Sequence, residues 1–264
     1  MSGPGSSVLT RARAKLGRIA TRSRDRFGGM GLRAEHRRCG VPIPPGALIH
    51  AVANTENVPW FLNSGAIAAR CLEETLLRNG VAIASLGRVL DFGCGVGRVM
   101  RHWANVRGPE FHGTDYNAEL VTWCRKDLSF ARFEFNTLDQ RLSYPDNDFD
   151  FTYALSVFTH LDEPLQAFWM NELRRVLKPG GLAFITIHGQ YYLNQLNESE
   201  RADFLAGRPV VRLSTREGSN DCASFHPEST VRDGLASAFE VLDFVPEGAL
   251  GNPKQDVYLL RKPR

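Results

Sequence analysis

The stretch Val89-Leu-Asp-Phe-Gly-Cys-Gly-Val-Gly-Arg98 begins with a short apolar run and continues with three glycines at alternate positions. The apolar run predicts a buried strand, and residues 98–106 are predicted to form the helix that follows the turn. Glycine permits positive φ and lets a ligand approach the backbone closely, and the start of a helix offers unpaired N–H groups to an anionic group. Arg98 stands where the third glycine of the dinucleotide fingerprint GxGxxG falls, which argues against a pyrophosphate site.

Strands and helices alternate on both sides of this turn. Before it, residues 62–78 have apolar positions at helical spacing and Asn79-Gly80 is typical of a helix end, whereas the prolines between residues 42 and 59 predict an irregular segment. After it, the patterns predict strands over residues 110–114, 132–135, 149–155, 182–187, 240–245 and 256–261, helices over 118–127, 165–177, 191–205 and 228–239, and an irregular piece over 208–225. This alternation predicts an α/β fold with a parallel sheet covered by helices on both faces.

Asp115 is predicted to end the second strand of that sheet. A carboxylate at this place can accept hydrogen bonds from both hydroxyls of a ribose. The alternative is that Asp115 only caps the next helix. Together with the glycine turn, the carboxylate favours a ligand that combines an adenosine with an amino acid over one that contains a pyrophosphate.

Four stretches, in order, resemble the motifs of the class I S-adenosylmethionine-dependent methyltransferases, and the resemblance extends over about residues 88–262. They are the glycine turn itself, Phe111-His-Gly-Thr-Asp115, Tyr144-Pro-Asp-Asn-Asp-Phe-Asp150 and Leu173-Arg-Arg-Val-Leu-Lys-Pro-Gly-Gly-Leu182. The resemblance implies a Rossmann-like, seven-stranded, mostly parallel sheet whose last strand is antiparallel and inserts between the fifth and sixth strands. It also implies S-adenosyl-L-methionine as the cofactor.

The positions that match the family motifs imply a set of cofactor contacts. The glycine turn and Asp91 are expected at the methionine part, Asp115 at the ribose, and Tyr116 with Asn136 at the adenine. Asn136 also has a plain reading as a turn residue. The full set of implied contacts is Asp91, Gly93, Cys94, Gly95, Gly97, Asp115, Tyr116, Asn136, Leu138 and Ser156.

The segment after the fourth predicted strand bears on the acceptor. Enzymes of this fold that methylate adenine or cytosine amino groups commonly carry an [N/D/S]PP[Y/F] turn there, and residues 154–160 have none. The stretch Ser156-Val-Phe-Thr-His-Leu161 instead resembles bacterial small-molecule methyltransferases, including some encoded beside sugar-modifying enzymes. The resemblance implies a small-molecule acceptor, with a hydroxyl of a sugar or glycosylated metabolite as the leading candidate. N- or C-methylation of another metabolite, and a non-catalytic S-adenosylmethionine-binding module, stay open.

A hydroxyl acceptor must lose its proton, and three histidines are candidates to take it. His188 follows the fifth predicted strand, at the carboxyl edge where ligands bind in such sheets. His226 precedes the predicted helix 228–239, and His160 follows the fourth strand, where the family often has a structural histidine. The alternative for each is a hydrogen-bonded structural residue.

Charge divides the chain into a basic arm and a mildly acidic body. Residues 1–40 hold ten Lys/Arg against two acidic residues, whereas the whole chain has a net charge of +3. We predict a flexible arm over 1–40, with a short basic helix over 8–27, and a single methyltransferase domain over 41–264. Within that domain, residues 41–80 are predicted to form a lid and a helix, and residues 189–226 an insertion that covers the substrate. The arm suggests at most weak peripheral membrane contact, or an Arg-rich presequence, and no specific nucleic-acid partner is expected.

The five cysteines lie far apart and form no CxxC pair, which argues against a disulfide framework and a structural zinc site. We therefore expect a cytoplasmic protein that uses no metal. No apolar run approaches the roughly 20 residues of a bilayer span. The rival enzyme class is a nucleotide-binding oxidoreductase, against which the four motifs argue. The pattern predicts no particular oligomeric state.

Overall fold

The structure is a computed structural model that describes residues 40–212 and 222–264. The predicted basic arm and its helix over 8–27 lie outside the described residues. The chain divides into two compact units, Met1–Asn63 and Ser64–Arg264. The predicted extents of the arm and of one domain over 41–264 stay predictions.

In the first unit, the described residues form α1, Gly46–Ala53, and the beginning of α2, Val58–Arg78. The carbonyl of Pro45 accepts hydrogen bonds from Leu48 N and Ile49 N at the start of α1. Pro59 lies in the first turn of α2, where a missing N–H leaves no helical bond unmade. The expectation of an irregular segment over residues 42–59 was therefore wrong in part, because these prolines precede or begin helices.

The second unit contains a seven-stranded sheet in the order β3-β2-β1-β4-β5-β9-β8. Its strands are β1 Arg88–Phe92, β2 Glu110–Asp115, β3 Ala131–Phe135, β4 Phe149–Ala154, β5 Leu177–Ile187, β8 Glu240–Val245 and β9 Asp256–Arg261, while β6 Val210–Arg212 and β7 Ala223–Phe225 form a separate pair. Strands β1 to β5 pair in parallel, and β9 is antiparallel to both β5 and β8. This topology confirms the predicted fold class.

Two longer helices connect the parallel strands, α3 over Ala118–Asp127 and α4 over Glu163–Val176. The side chain of Asp162 caps α4 by accepting from Leu165 N at 3.0 Å. The inner face of α4 buries Trp169 against the sheet, where its ring centroid lies 4.6 Å from that of Phe92. Burial of large side chains of this kind contributes about 2 kcal/mol each, which holds α4 against the sheet.

Two predicted helices differ in the structure. Residues 98–106 form only a 3₁₀ turn over Met100–Trp103, because the positive φ of Gly97 delays the helical geometry and the bond from His102 N goes to Val99 O. Residues 228–239 form one helical turn, Glu228–Thr230, and then a π turn, Val231–Leu235. The elements exist where they were predicted, but their hydrogen bonding is not regular α-helix.

The described parts of residues 189–226 form a small structure of their own. A 3₁₀ turn over Gln190–Gln195 precedes α5, Glu198–Leu205. Asn197 and Glu200 form a reciprocal capping box at the start of α5, and this cap divides the single helix that was predicted over 191–205. The pair β6–β7 lies in the segment that was predicted to be irregular. A local core of Leu196, Phe204, Val210 and Phe225 holds these elements together.

In the part of the chain that the structure describes, no helix is both long enough and apolar enough to cross a bilayer. Over the same residues, no three His, Cys, Asp or Glu side chains are grouped as ligands of a metal ion. The cysteines of the described ranges, Cys71, Cys94, Cys124 and Cys222, are buried and form no disulfide in this part of the chain.

Candidate active site

The carboxyl ends of five parallel strands bring the predicted site residues to one edge of the sheet. Asp91 lies at the end of β1, Asp115 ends β2, and Asn136 follows β3. Ser156 comes two residues after β4, and His188 directly follows β5. Since the strands are parallel and adjacent, these positions line one continuous edge, where ligands of open α/β sheets bind.

Backbone hydrogen bonds tie the glycine turn to the end of β2. Gly93 N donates to Thr114 O at 2.8 Å, and Gly95 N donates to Asp115 Oδ2 at 2.8 Å. Gly93 has a φ of +77°, and a Cβ there would lie 2.4 Å from Val157 Cγ2. The turn therefore requires glycine for its own packing, and its main chain is left open to a ligand.

The cysteine within the turn faces the interior. Cys94 is 5% exposed, and its Sγ lies 3.7 Å from Gly95 O, to which Cys124 Sγ donates at 3.4 Å. The neighbouring thiol of Cys124 and burial raise the pKa of Cys94 well above its ordinary value. Gly97 N donates to Cys94 O at 2.9 Å. Only the backbone of Cys94 is thus placed to contact a cofactor.

Asp115 is a buried carboxylate with both oxygens engaged by the backbone. Its Oδ2 accepts from Gly95 N and its Oδ1 from Asn117 N at 2.9 Å. Burial raises the pKa of Asp115, and the backbone N–H groups partly offset this effect. The cap of α3 is Asn117, whose side chain accepts from Glu119 N and Leu120 N. Asp115 therefore does not cap α3, and each of its oxygens keeps a lone pair for a further donor.

Asp91 lies deeper, with 5% of its surface exposed. Burial raises its pKa to about 7, the neighbouring Tyr153 and Arg98 oppose this effect, and the charge of Asp115 raises the pKa further. A buried carboxyl group in this state is stabilised in its ionised form by a nearby cation. The α-ammonium group of an amino acid is such a cation, so the site fits the methionine end of S-adenosylmethionine.

Arg98 replaces the third glycine of the dinucleotide fingerprint. Its side chain forms hydrogen bonds that the sequence did not predict. Its Nη1 donates to Gly251 O at 3.1 Å and to Ser64 Oγ at 3.3 Å, and its Nη2 donates to Asn252 Oδ1. Burial lowers its pKa to about 10, an effect that the charge of Asp91 opposes. Arg98 thus connects the loop between β8 and β9 to the end of the glycine turn, just before the 3₁₀ turn Met100–Trp103.

The predicted adenine side has an exposed ring and an unsatisfied amide oxygen. Tyr116 is 38% exposed, directly after Asp115. Asn136 N donates to Asp115 O at 3.1 Å and its Nδ2 to Thr137 O at 2.8 Å, while its buried Oδ1 has no partner among the described residues. A free acceptor beside an exposed aromatic ring suits the amino edge of an adenine. Leu138 is half-buried, and its carbonyl accepts from Trp169 Nε1 at 2.8 Å.

The structure brings the three candidate histidines into one neighbourhood. His226 N donates to His188 O at 2.9 Å. Electrostatic interaction with His160 lowers the pKa of His188, and interaction with His188 lowers the pKa of His226. Burial, reinforced by His160, lowers the pKa of His188 to about 4, so its imidazole is neutral at physiological pH. Its Nε2 lies 3.2 Å from Gln255 Nε2. The ring lies 4.4 Å from that of Tyr192 and stacks on Phe225 at 5.3 Å.

His226 is the most enclosed of the three, at 2% exposure. Gln166 Nε2 donates to Phe158 O and Leu161 O, both at 2.9 Å. The amide oxygen of Gln166 therefore faces His226 Nε2, at 2.8 Å, and that nitrogen must carry the proton. Burial lowers the pKa of His226 to about 4. With Gln166, it lies in the wall of a cleft of about 500 Å³ between α4 and residues 228–239.

His160 is held by the backbone of a distant segment. Its Nδ1 donates to Cys222 O at 2.7 Å, and burial lowers its pKa. A ring fixed in this way orients the 3₁₀ turn Phe158–His160 against the chain before β7. The geometry suits the structural alternative for this residue.

Sequence reasoning missed Gln255 and Thr186. Gln255 is 1% exposed and joins Ser156 to His188, since Ser156 Oγ donates to Gln255 Oε1 at 2.9 Å. Thr186 Oγ1 accepts from Ser156 N at 2.8 Å. The available signal was the antiparallel final strand. Once β9 runs against β5, the residue before β9 must lie beside the residue after β5.

The sheet order, the glycine turn and the two buried carboxylates match those of class I S-adenosylmethionine-dependent methyltransferase domains, and the cofactor of such domains is S-adenosylmethionine. The particular family whose model matches is the methyltransferase domain, over residues 90–185. The crystal structure of a SAM-dependent methyltransferase from Methanosarcina mazei superposes with a TM-score of 0.53 at 21% identity, and covers 71% of this chain and 97% of that chain. This likeness shows the fold.

Curated relatives agree with the family. A sterol 24-C-methyltransferase of Gibberella zeae is 32% identical over 177 residues, which cover 64% of this chain and 43% of that protein. A fatty-acid O-methyltransferase of Mycolicibacterium smegmatis is 35% identical over 131 residues, which cover 49% of this chain and 46% of that protein. The chain thus spans less than half the length of these two relatives. Their names agree with the expected small-molecule acceptor and do not indicate a sugar.

Proposed function

We propose that this chain transfers the methyl group of S-adenosylmethionine to a hydroxyl oxygen of a small uncharged acceptor, with His188 as the general base. The observation that carries the proposal is the position of His188, a neutral imidazole at the carboxyl edge of β5 beside the Ser156 turn. S-adenosylmethionine supplies an electrophilic methyl group on its sulfonium. His188 Nε2 accepts the hydroxyl proton while the acceptor oxygen forms its bond to the methyl carbon and the carbon–sulfur bond breaks.

The cofactor is held, in this proposal, by the edge formed by β1 to β3. Asp91 ionises against the α-ammonium group, and the main chain of the glycine turn lies along the methionine part. Asp115 accepts from the ribose hydroxyls, while Tyr116 and Asn136 hold the adenine. The remaining proposed contacts are Cys94 through its backbone, Leu138 and Ser156.

The acceptor is enclosed, in this proposal, by residues 189–226. Tyr191 is 46% exposed and lies edge-on to Tyr192, whose ring packs against the buried ring of Phe225 beside His188. Aromatic rings bind the apolar faces of sugars and the rings or chains of lipids equally well. We retain a sugar or glycosylated metabolite as the first class of acceptor. A lipid is the second class, since one curated relative is named for methylation of a sterol at carbon and the other for O-methylation of a fatty acid. Residues 41–80 stay a proposed lid.

The test is an acceptor screen that measures S-adenosylhomocysteine, with panels of sugars, glycosides, sterols and fatty acids. With an accepted substrate, His188→Ala lowers kcat by about 100-fold or more, the usual worth of a general base, and leaves the Kd for S-adenosylmethionine within about twofold. His188→Gln serves as the control that keeps a polar side chain of similar reach without a titrating nitrogen. Turnover by His188→Ala at the wild-type rate would exclude His188 as the base.

A matched variant separates the two enclosed histidines. His226→Ala leaves Gln166 Oε1 without its donor, so it lowers the free energy of unfolding by about 2 kcal/mol and changes kcat only slightly. A loss of kcat in His226→Ala, with normal kcat in His188→Ala, would move the base to His226. Saturating S-adenosylmethionine binding with no turnover on any panel would instead favour a non-catalytic binding module, and stabilisation by NADH in a thermal-shift assay would favour an oxidoreductase.

A further inference from the structure

Three side chains from separate parts of the chain form one hydrogen-bonded row at the carboxyl edge. Ser156 Oγ donates to Gln255 Oε1 at 2.9 Å, and Gln255 Nε2 lies 3.2 Å from His188 Nε2. Gln255 is 1% exposed, so neither of its polar atoms is shared with bulk water. The row connects Ser156, which is proposed to contact the cofactor, with His188, which is proposed to contact the acceptor.

The fold determines both ends of this row. Ile187 pairs with Asp256 in the antiparallel β5–β9 ladder, so Gln255 stands opposite His188 by register. Ser156 has a φ of +59°, and its carbonyl accepts from Thr159 Oγ1 at 2.9 Å. A non-glycine residue in this conformation is held there by its surroundings. The hydroxyl of Ser156 is therefore fixed where it meets Gln255.

The chemistry of the amide then decides the protonation of the ring. An amide nitrogen only donates, so His188 Nε2 must accept, and the proton of the neutral imidazole must be on Nδ1. We propose that Gln255 is a positioning residue that donates to His188 Nε2 and so holds the ring as the Nδ1-protonated tautomer, and that the acceptor hydroxyl displaces this N–H from the single Nε2 lone pair before it donates its own proton. The catalytic part of this inference rests on the proposed function, whereas the tautomer does not.

The other groups around His188 do not replace Gln255 in this role. His160 and His226 are neutral neighbours, and Tyr192 contacts the ring through its face. On β9, Asp256 packs against Gly189, where a Cβ would lie 1.8 Å from its Oδ2, and its Oδ1 accepts from Glu247 N at 2.8 Å. Gln255 is thus the side chain whose replacement by a carboxylate changes the charge seen directly by Nε2.

The experiment follows His188 by ¹⁵N NMR in protein labelled at histidine, with His188→Gln to assign the signal. In the wild type, Nε2 gives the signal of an unprotonated nitrogen above pH 5. Gln255→Glu places a carboxylate beside Nε2, which then binds a proton, so the pKa of His188 rises by about 1–3 units. Gln190→Glu adds the same charge at an exposed position two residues after His188 and leaves that pKa within about 0.3 units, because exposed charges are screened. Gln255→Leu removes the donor and gives a mixture of tautomers.

Each result of this experiment either supports or overturns the proposed role of Gln255. A wild-type signal from protonated Nε2, or an unchanged pKa in folded Gln255→Glu, overturns the proposal whatever the chain catalyses. If Gln255→Glu does not fold, an unchanged tautomer in Gln255→Leu overturns it equally. With an accepted substrate, the acid limb of kcat/KM moves to higher pH by the same 1–3 units in Gln255→Glu, while the Kd for S-adenosylmethionine stays within about threefold. An NMR shift without a shift of the pH profile retains the positioning of His188 and refutes its role as base.

Discussion

The two halves of the carboxyl edge are built in different ways. The half formed by β1 and β2 uses backbone, with Gly93 N bound to Thr114 O and Gly95 N bound to Asp115, all within one strand–turn–strand segment. The half formed by β4 and β5 uses side chains that come from distant positions, such as Gln255 between Ser156 and His188. A site built from backbone suits the cofactor, which is the same in every reaction of an enzyme class. A site built from side chains suits the variable acceptor, because its residues can be substituted without altering the sheet.

The same contrast extends to charge. The β1–β2 half contains two buried carboxylates whose pKa values are raised, so it is prepared for a ligand that carries a cation and donors. The β4–β5 half contains three histidines whose pKa values are lowered, so it is neutral and suits an uncharged ligand. Variants on each side should therefore change different measurements, and the predictions below use this to test the division.

The largest effect is expected for Asp115→Ala. In the proposed scheme it removes two charge-assisted hydrogen bonds to the ribose, and it also removes the acceptor of Gly95 N, so the Kd for S-adenosylmethionine should rise by about 100-fold or more. Isothermal titration measures the Kd, and Asp115→Asn, which keeps an acceptor for Gly95 N without the charge, should lose less. The His188 NMR signal should not move in either variant. Binding by Asp115→Ala within threefold of the wild type would refute the assignment of Asp115 to the cofactor.

A smaller effect is expected for Gly93→Ala, with Gly80→Ala as its matched control. Both glycines have a φ of +77°, but a Cβ at position 80 meets nothing within 4 Å, whereas at position 93 it meets Val157 Cγ2 at 2.4 Å. Gly80→Ala should lower the free energy of unfolding by about 1 kcal/mol through strain alone. Gly93→Ala should lower it by about 3 kcal/mol and also weaken cofactor binding, because the turn and Val157 must move apart.

Urea unfolding of both variants, with and without S-adenosylmethionine, gives the comparison. Equal losses in the two variants would mean that contact with Val157 does not shape the turn. A loss of stability in Gly93→Ala without any loss of affinity would mean that the turn is structural only.

The difference between the halves also explains what the sequence could and could not predict. The positions of the strands and the edge position of Asp91 and Asp115 follow from local patterns, since each depends on residues close together in the chain. The sheet order and the antiparallel last strand followed instead from the resemblance to the methyltransferase family. Gln255 depends on strand register across β5 and β9, and the partners of Arg98 depend on the loop after β8. No local pattern carries that information. The predicted helix over 98–106 failed for a related reason, because helical propensity does not include the φ that Gly97 adopts to close the turn.

A moderate effect of pH on cofactor binding is expected from Asp91. Its raised pKa means that the folded protein without cofactor takes up a proton, so this group's contribution to stability is present at low pH and is lost as pH rises from about 4 through about 7. Binding of the α-ammonium group requires the ionised carboxylate. The affinity for S-adenosylmethionine should therefore increase as pH rises from 5.5 to 7.5, by up to about tenfold per unit below the pKa.

Asp91→Asn tests the assignment. The variant should show a flat pH profile of binding over this range, about tenfold weaker binding at pH 7.5, and a higher melting temperature than the wild type at pH 8 without cofactor, because a buried charge is gone. Asp233→Asn makes the same change at an exposed position and should leave all three measurements unaltered. A wild-type pH slope that persists in Asp91→Asn would assign the proton to another group.

The smallest effect on either half is expected from removal of residues 1–39, which carry ten basic and two acidic residues. Neither the Kd for S-adenosylmethionine nor the His188 signal depends on these residues in the proposed scheme, so both should stay within about twofold of their wild-type values. Binding to vesicles that contain phosphatidylserine should fall on deletion, since each basic residue near such a surface contributes up to about 1 kcal/mol, and the difference should disappear in 0.5 M salt as the charges are screened. A loss of turnover with unchanged cofactor affinity would instead connect the arm to the acceptor half, and would make the β4–β5 edge incomplete without it.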